Sequence, residues 1–265
     1  MLTLAPVLVG VVYAVGAAIG VLGAGADGIS LHRVVNVLSS RGTWSSVAWT
    51  VMVSAIATGA AFWAAVISVE RLWSTPVMRR IAFVPLAVPH IAGALGVLLL
   101  IGQSGLLSRI AFALGLITQP ADFPALVYDP FGIGLILSFF WKEFPFLALT
   151  AFAARSQIPP SLFEAAHSLG ATTHDVNRLV VRPIVAAGIL PATISVFAFL
   201  VGHYEMASVL GPSAPPALSV LTYERVTDPD VLRRGEAYVL AVLALGLAAV
   251  MAWGYARLRR WPQLT

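Results

Sequence analysis

The 265-residue chain is 59% hydrophobic and 11% charged, with a mean hydropathy of +0.89. Soluble domains carry about 25% charged residues, so this is the composition of a membrane protein. The net charge of +4 comes without a basic patch interleaved with aromatics, which sets nucleic acid aside, and the lack of cysteine excludes disulfides, thiolate metal sites and cysteine nucleophiles.

A crossing of the hydrocarbon core takes about 20 apolar residues. Residues 2–22 form the first uncharged run. A cleaved leader is the alternative, with Ala24-Gly25-Ala26 as the cut site. No Lys or Arg precedes the run, and it is long for a leader core, so it is read as a span. Residues 23–45 follow as a loop with a surface helix from Ser30 to Leu38. The second span is 46–69, and a short basic loop covers 70–80. The third, 81–101, contains Pro85, Pro89 and His90; neighbouring helices can satisfy the carbonyls that such prolines free.

Residues 102–130 are rich in Gly and Pro. Within them Leu106 to Ile117, with Arg109, is too short to span and is expected to lie at the interface. The fourth span, 131–154, is interrupted by Lys142-Glu143. The fifth, 184–201, is expected to run on through His203, Tyr204 and Glu205. A polar loop, 211–236, leads to the sixth span at 237–256 and a tail with Arg257, Arg259 and Arg260. No linker or change of composition divides the chain, so 1–265 is one all-α membrane domain of six helices.

Basic residues mark the cytoplasmic side. The segments 70–80, 155–183 and the tail hold nine arginines in 49 residues, against six in 86 for 23–45, 102–130 and 203–236. Both termini and the loop 155–183 are therefore expected in the cytoplasm.

That loop is a polar island in an apolar chain. Ser161 stands three residues before Glu164, the spacing of a capping box, and Pro160 marks a helix start. Leu162, Phe163, Ala166 and Leu169 can line one side of the helix, and Gly170 can end it in a left-handed conformation. Thr172 and Asp175 repeat the spacing and start a second short helix, which Pro183 is expected to close. The only lysine, Lys142, follows Trp141 rather than Gly, so the chain has no Walker A loop, and ATP-driven work needs another subunit.

The string Glu164-Ala165-Ala166, then Gly170, Val180 and Pro183 at the family spacings, resembles the EAA motif of binding-protein-dependent ABC importer permeases of type I. The likeness extends from about Thr43 onward and implies their five-helix core plus an N-terminal helix. It departs at Arg182, where the family carries a hydrophobic residue. The resemblance implies a coupling helix, formed by Ser161, Leu162, Phe163, Glu164, Ala165, Ala166, Leu169 and Gly170, that seats on a separate ATPase. Small Ala165 and Ala166 permit close approach.

Ionisable groups inside a membrane usually face a cavity or a partner. Lys142 and Glu143 sit at mid-span, and neighbours on a helix do not face each other. One of them lines the pathway or a gate, or they form a structural bridge to another span or to a second permease. His203, Tyr204 and Glu205, near the outer side, and His90 beside Pro89 complete the candidate translocation residues. No histidine pair has metal-site spacing, and nothing orders Ser, His and Asp into a triad, so neither a metal nor a catalytic residue is expected.

The resemblance implies a bacterial inner-membrane, multi-pass, non-catalytic subunit without a cofactor of its own. ATP and Mg would be bound by two partner ABC ATPase subunits. A second permease subunit, expected to be a different chain, would complete the pathway, and an extracytoplasmic binding protein would deliver the solute. The segments VPHIAGALGVLLL and YEMASVLGP resemble the polyamine and ferric iron group, which implies a polyamine or other small cation as substrate. The rival expectation is a secondary transporter using Lys142 and Glu143 as an ion or proton relay, for which inverted repeats should be visible; none is convincing.

Overall fold

The computed structural model describes residues 5–23, 26 and 28–259. Ala24 and Gly25 of the candidate cut site, Arg260 of the tail and the first residues of the first expected span lie outside them. The described chain is helical throughout, with α1 at Ala5–Ala18, α2 at His32–Ser39, α3 at Arg41–Ser74, α4 at Pro76–Phe83 and α5 at His90–Ile101. There follow α6 at Leu106–Ala113, α7 at Ile133–Ser156, α8 at Pro160–Ser168, α9 at Thr173–Val176 and α10 at Arg182–Val201. The last three are α11 at Glu205–Leu210, α12 at Leu218–Val226 and α13 at Val231–Arg259.

Among the described residues, five helical stretches are long and apolar enough to cross a membrane: Arg41–Ser74, His90–Ala113, Ile133–Ser156, Thr173–Val201 and Arg233–Arg257. These take the places of the second to sixth expected spans. Of the expected first span, the described part is the apolar helix α1.

Within lipid, helices associate through close packing rather than through a hydrophobic drive. α3 and α7 form the axis of the bundle. Ala57, Ala61 and Ala65 recur every fourth residue of α3 and are fully buried, as are Leu147, Ala148 and Ala151 of α7. α10 packs on both helices. A Cβ at Gly188 of α10 would lie 3.1 Å from the Cβ of Ala154, so glycine there sets how near α10 comes to α7. α13 rests on α10 and α12, and α1 rests on α13.

The entry to α7 is tightly determined. Gly132 has φ +70°, and a Cβ there would meet Val53 at 2.8 Å and Trp49 at 3.0 Å. The buried carboxylate of Asp129 accepts from the amides of Phe131 at 2.9 Å and Ile133 at 2.8 Å, satisfying donors that the helix start leaves free. Trp49 Nε1 donates to the carbonyl of Pro130 at 2.8 Å, tying α3 to the same turn.

The third expected span is broken. α4 gives way to a 3-10 turn at Val84–Ala87, and α5 starts only at His90. Prolines at 85 and 89 remove two amide donors, and a residue before proline is pushed to extended backbone; Val88 has ψ 126°. His90 is therefore at a helix start, not inside a continuous span. The segment 106–117, expected as a separate interfacial helix, shortens to α6, which continues the stretch begun by α5.

Two further corrections concern the fifth span. It ends at Val201 rather than running through Glu205: Gly202 to Tyr204 form a break before α11. At its other end Pro183 closes nothing. Proline is tolerated in a first turn because its missing donor has no intrahelical partner there. α9 passes through a π turn at Asn177–Val181 directly into α10, and Pro183 sits at the start of that helix.

Candidate functional site

Two places concentrate polar chemistry: the knob at 158–181 and a cavity between α5, α7 and α10. The knob begins where α7 ends. Pro159 is the residue before α8 and Pro160 occupies its first turn. Ser161 is thus already inside the helix. Its hydroxyl caps nothing, and the expected Ser161–Glu164 box does not form. The second box does form: Thr172 Oγ1 accepts from the Asp175 amide at 3.2 Å, and Asp175 Oδ2 accepts from the Thr172 amide at 3.1 Å.

Gly170, at φ +82°, ends α8. Its amide donates to His167 O at 2.9 Å, and the Ala171 amide reaches back to Ala166 O at 3.1 Å. This is a Schellman closure, in which the left-handed residue lets two amides satisfy terminal carbonyls. The knob is therefore a stiff corner with an α8 arm joined to α7 through the short turn 157–159 and an α9 arm continuous with α10.

The expected apolar side of α8 divides in two. Phe163 and Ala166 pack onto the bundle core, together with buried Ile158 and Val176. Leu162, Ala165 and Leu169, at i, i+3 and i+7, form an outward stripe, with Leu169 89% exposed. Glu164 and Ser161 are exposed beside it.

Phe163, packed on the core, also meets Arg155, which in the sequence is only one of the basic residues of the segment 155–183. The Arg155 guanidinium lies 4.4 Å from the Phe163 ring centre and 4.9 Å from that of Trp73, and its Nε donates to Glu70 Oε1 at 2.5 Å. The 85 residues between Arg155 and Glu70 leave no local pattern that would have paired them.

The cavity, about 350 Å³, is walled mainly by Leu86, Phe146, Val196 and Phe199, with His90, Lys142 and Glu143 as its ionisable groups. His90 Nε2 lies 3.4 Å from Glu143 Oε1. His203 is buried; its ring centre is 4.9 Å from that of His90 and 4.9 Å from that of Phe199. Lys142 is turned to another task, donating to the carbonyls of Pro85 and Val88 at the proline break. Three candidates thus converge: His90, Glu143 and His203. Tyr204 and Glu205 do not line this cavity. Tyr204 packs on Tyr223 at 4.7 Å beside a second, apolar cavity, and Glu205 is exposed at the start of α11. Among the described residues no group of three His, Asp or Glu could hold a metal ion.

No family model matches the chain. It is 30% identical over 218 residues to the inner membrane ABC transporter permease protein YnjC of Escherichia coli, covering 80% of this chain and 40% of that protein. It is 30% identical over 173 residues to the trehalose/maltose transport system permease protein MalF of Thermococcus litoralis, covering 63% of this chain and 57% of that one. The chain thus spans about half the length of these curated relatives. Among solved structures, a bacterial ABC transporter that imports the acidic polysaccharide alginate has the same fold: TM-score 0.75 at 18% identity, over 98% of this chain and 95% of that one.

Proposed function

On the premise that the chain is a permease of the ABC importer kind, as these relatives are, we propose that it forms half of a translocation pathway driven by a separate ATPase. The observation that carries this reading is the knob, an exposed and stiffly closed corner joining α7 and α10. The ATPase docks on Leu162, Ala165 and Leu169, with Glu164 beside them. ATP and Mg belong to that partner, present in two copies. A second permease, a different chain, completes the pathway, and an extracytoplasmic binding protein delivers the solute. Both termini face the cytoplasm of a bacterial cell, with the knob on the same side; the arginine bias supports this sidedness.

The solute passes His90, Glu143 and His203. A polyamine or other small cation suits Glu143 as the carboxylate of the cavity. A relay of the secondary-transporter kind finds less support, since Lys142 is engaged by two backbone carbonyls. Purification in mild detergent tests the main proposal. A stoichiometric ATPase should accompany the chain and be lost on Glu164→Arg or Gly170→Pro. A chain that transports without an ATPase overturns the proposal. Binding of labelled spermidine to the partner binding protein tests the substrate, and binding of a neutral sugar alone overturns the cation assignment.

A further inference from the structure

We infer that Arg155 is a positioning residue, a latch that makes α8 and the cytoplasmic end of α3 one mechanical body; this rests on the coupling role proposed above. α8 is joined through the chain to α7 and, past α9, to α10. It has no such link to α3. Across that gap the connection is side-chain chemistry, centred on one guanidinium.

Four helices meet at this point. Arg155 leaves the last turn of α7 and lies between the rings of Trp73 on α3 and Phe163 on α8, with Glu70 of α3 on its Nε. Trp73 also packs on Phe152 of α7 with ring centres 4.5 Å apart, and Arg79 of α4 covers the same Phe152 ring at 5.0 Å. The Arg155 side chain is only 14% exposed and that of Glu70 26%, so the ion pair is partly shielded from water. A planar guanidinium can stack on two rings while its edge donates to a carboxylate; an ammonium cannot do both. A push on α8 then moves Phe163, and through Arg155 it moves Trp73 and Glu70. Because α3 is packed along α7 over its length, the displacement reaches the whole axis of the bundle rather than α7 and α10 alone.

The chain has no cysteine, so introduced cysteines take label without background. Spin labels at Ser168→Cys on α8 and Ile67→Cys on α3, both exposed, measure the gap the latch spans. A second pair, Met52→Cys and Leu137→Cys, monitors the bundle itself and shows that each variant is folded. In the isolated chain we expect one narrow distance for the first pair. It should broaden in Arg155→Ala and broaden less in Arg155→Lys, while the second pair stays unchanged. In the complex with its ATPase, trapping with ATP and vanadate should leave the wild-type α8–α3 distance unchanged and shift it in Arg155→Ala. An Arg155→Ala distribution as narrow as wild type overturns the latch. So does a wild-type distance that shifts on trapping as far as the variant's. If no ATPase accompanies the chain, the coupling role fails and the transmission claim fails with it, while the isolated-chain measurement still decides whether Arg155 holds α8 to α3.

Discussion

The Nζ of Lys142 donates to the carbonyl oxygen of Pro85 at 2.7 Å, across 57 residues of chain. The same ammonium reaches the carbonyl of Val88. Two prolines open the helix at 84–89, and one lysine on the facing helix answers the carbonyl of Val88 and shares that of Pro85 with the Val88 amide, 3.2 Å away. An apolar interior cannot tolerate such carbonyls unpaired.

Lys142→Met keeps most of the aliphatic stem, one atom shorter, and removes its donors. Pro85 O keeps the Val88 amide in the variant, so the loss falls on Val88 O, and a buried carbonyl left without a partner costs about 1–3 kcal/mol. The variant should unfold several degrees below wild type when thermal melting is followed in the same detergent. An unchanged melting temperature would show that water, not Lys142, satisfies the break.

His90 and Glu143 are in contact at 3.4 Å, although 53 residues separate them. Residues in contact are energetically coupled by about 0.5–3 kcal/mol, whereas distant ones add independently. A cycle of His90→Ala, Glu143→Gln and the double variant should therefore give a double-variant stability loss smaller than the sum of the singles. Strict additivity would mean that the two side chains face the cavity independently.

Asp122 organises the loop between α6 and α7. Its carboxylate accepts from the amide and hydroxyl of Thr118, and from the amide and side chain of Gln119. These bonds favour the ionised form and hold its pKa at about 2, below the ordinary 3.8, the Thr118 amide contributing most. For a lowered carboxylate pKa, the contribution to loop stability is in place above the ordinary value and is lost as pH falls through the lowered one. The carboxyl carbon resonance should titrate with a midpoint near 2. Asp122→Ala should speed hydrogen exchange at the amides of Thr118 and Gln119 at every pH above that midpoint. A midpoint near 4, the ordinary range for this side chain, would mean the loop bonds do not persist in the membrane-embedded protein.

The features legible in the sequence were those written locally. Apolar runs disclosed the five membrane-length stretches, and Gly170 and the Thr172–Asp175 pair disclosed the knob, because a cap or a left-handed turn depends on a few adjacent residues. Ser161 and Glu164 had equally good spacing and failed, because the helix starts at Pro160, two residues earlier than a Ser161 cap requires. Phe163 was assigned to the wrong side of α8, because the core it packs on is built from distant helices, as is the Arg155–Glu70 pair beside it. His90 and His203 were each singled out, yet their meeting over Phe199 needed the proline break in one span and the Gly202 break in another. Local chemistry was readable; which faces meet was decided by packing across the bundle.

Pro183 offers the sharpest test of how the knob is joined to α10. The Arg182 amide donates to Asn177 O, five residues back, which widens the helix by one residue. Pro183, the next residue, has no amide to donate and blocks an ordinary ladder at this point. Pro183→Ala supplies that donor. The widened turn should then close to a regular helix, with the Arg182 amide passing to Arg178 O. Absorbing one residue turns everything before the site by about 100° about the helix axis. Thr173 to Val176 would rotate relative to α10, and with them the corner at Gly170 and the outward stripe of α8. A structure of the variant, or a label at Thr173→Cys paired with one on exposed Phe199→Cys, should show the rotation directly. Under the proposed function, the ATPase should bind the variant less tightly although every residue of the docking stripe is unchanged. If the π turn survives in Pro183→Ala, its cause lies in the packing of Val176 and Val181 against the core, not in the missing amide.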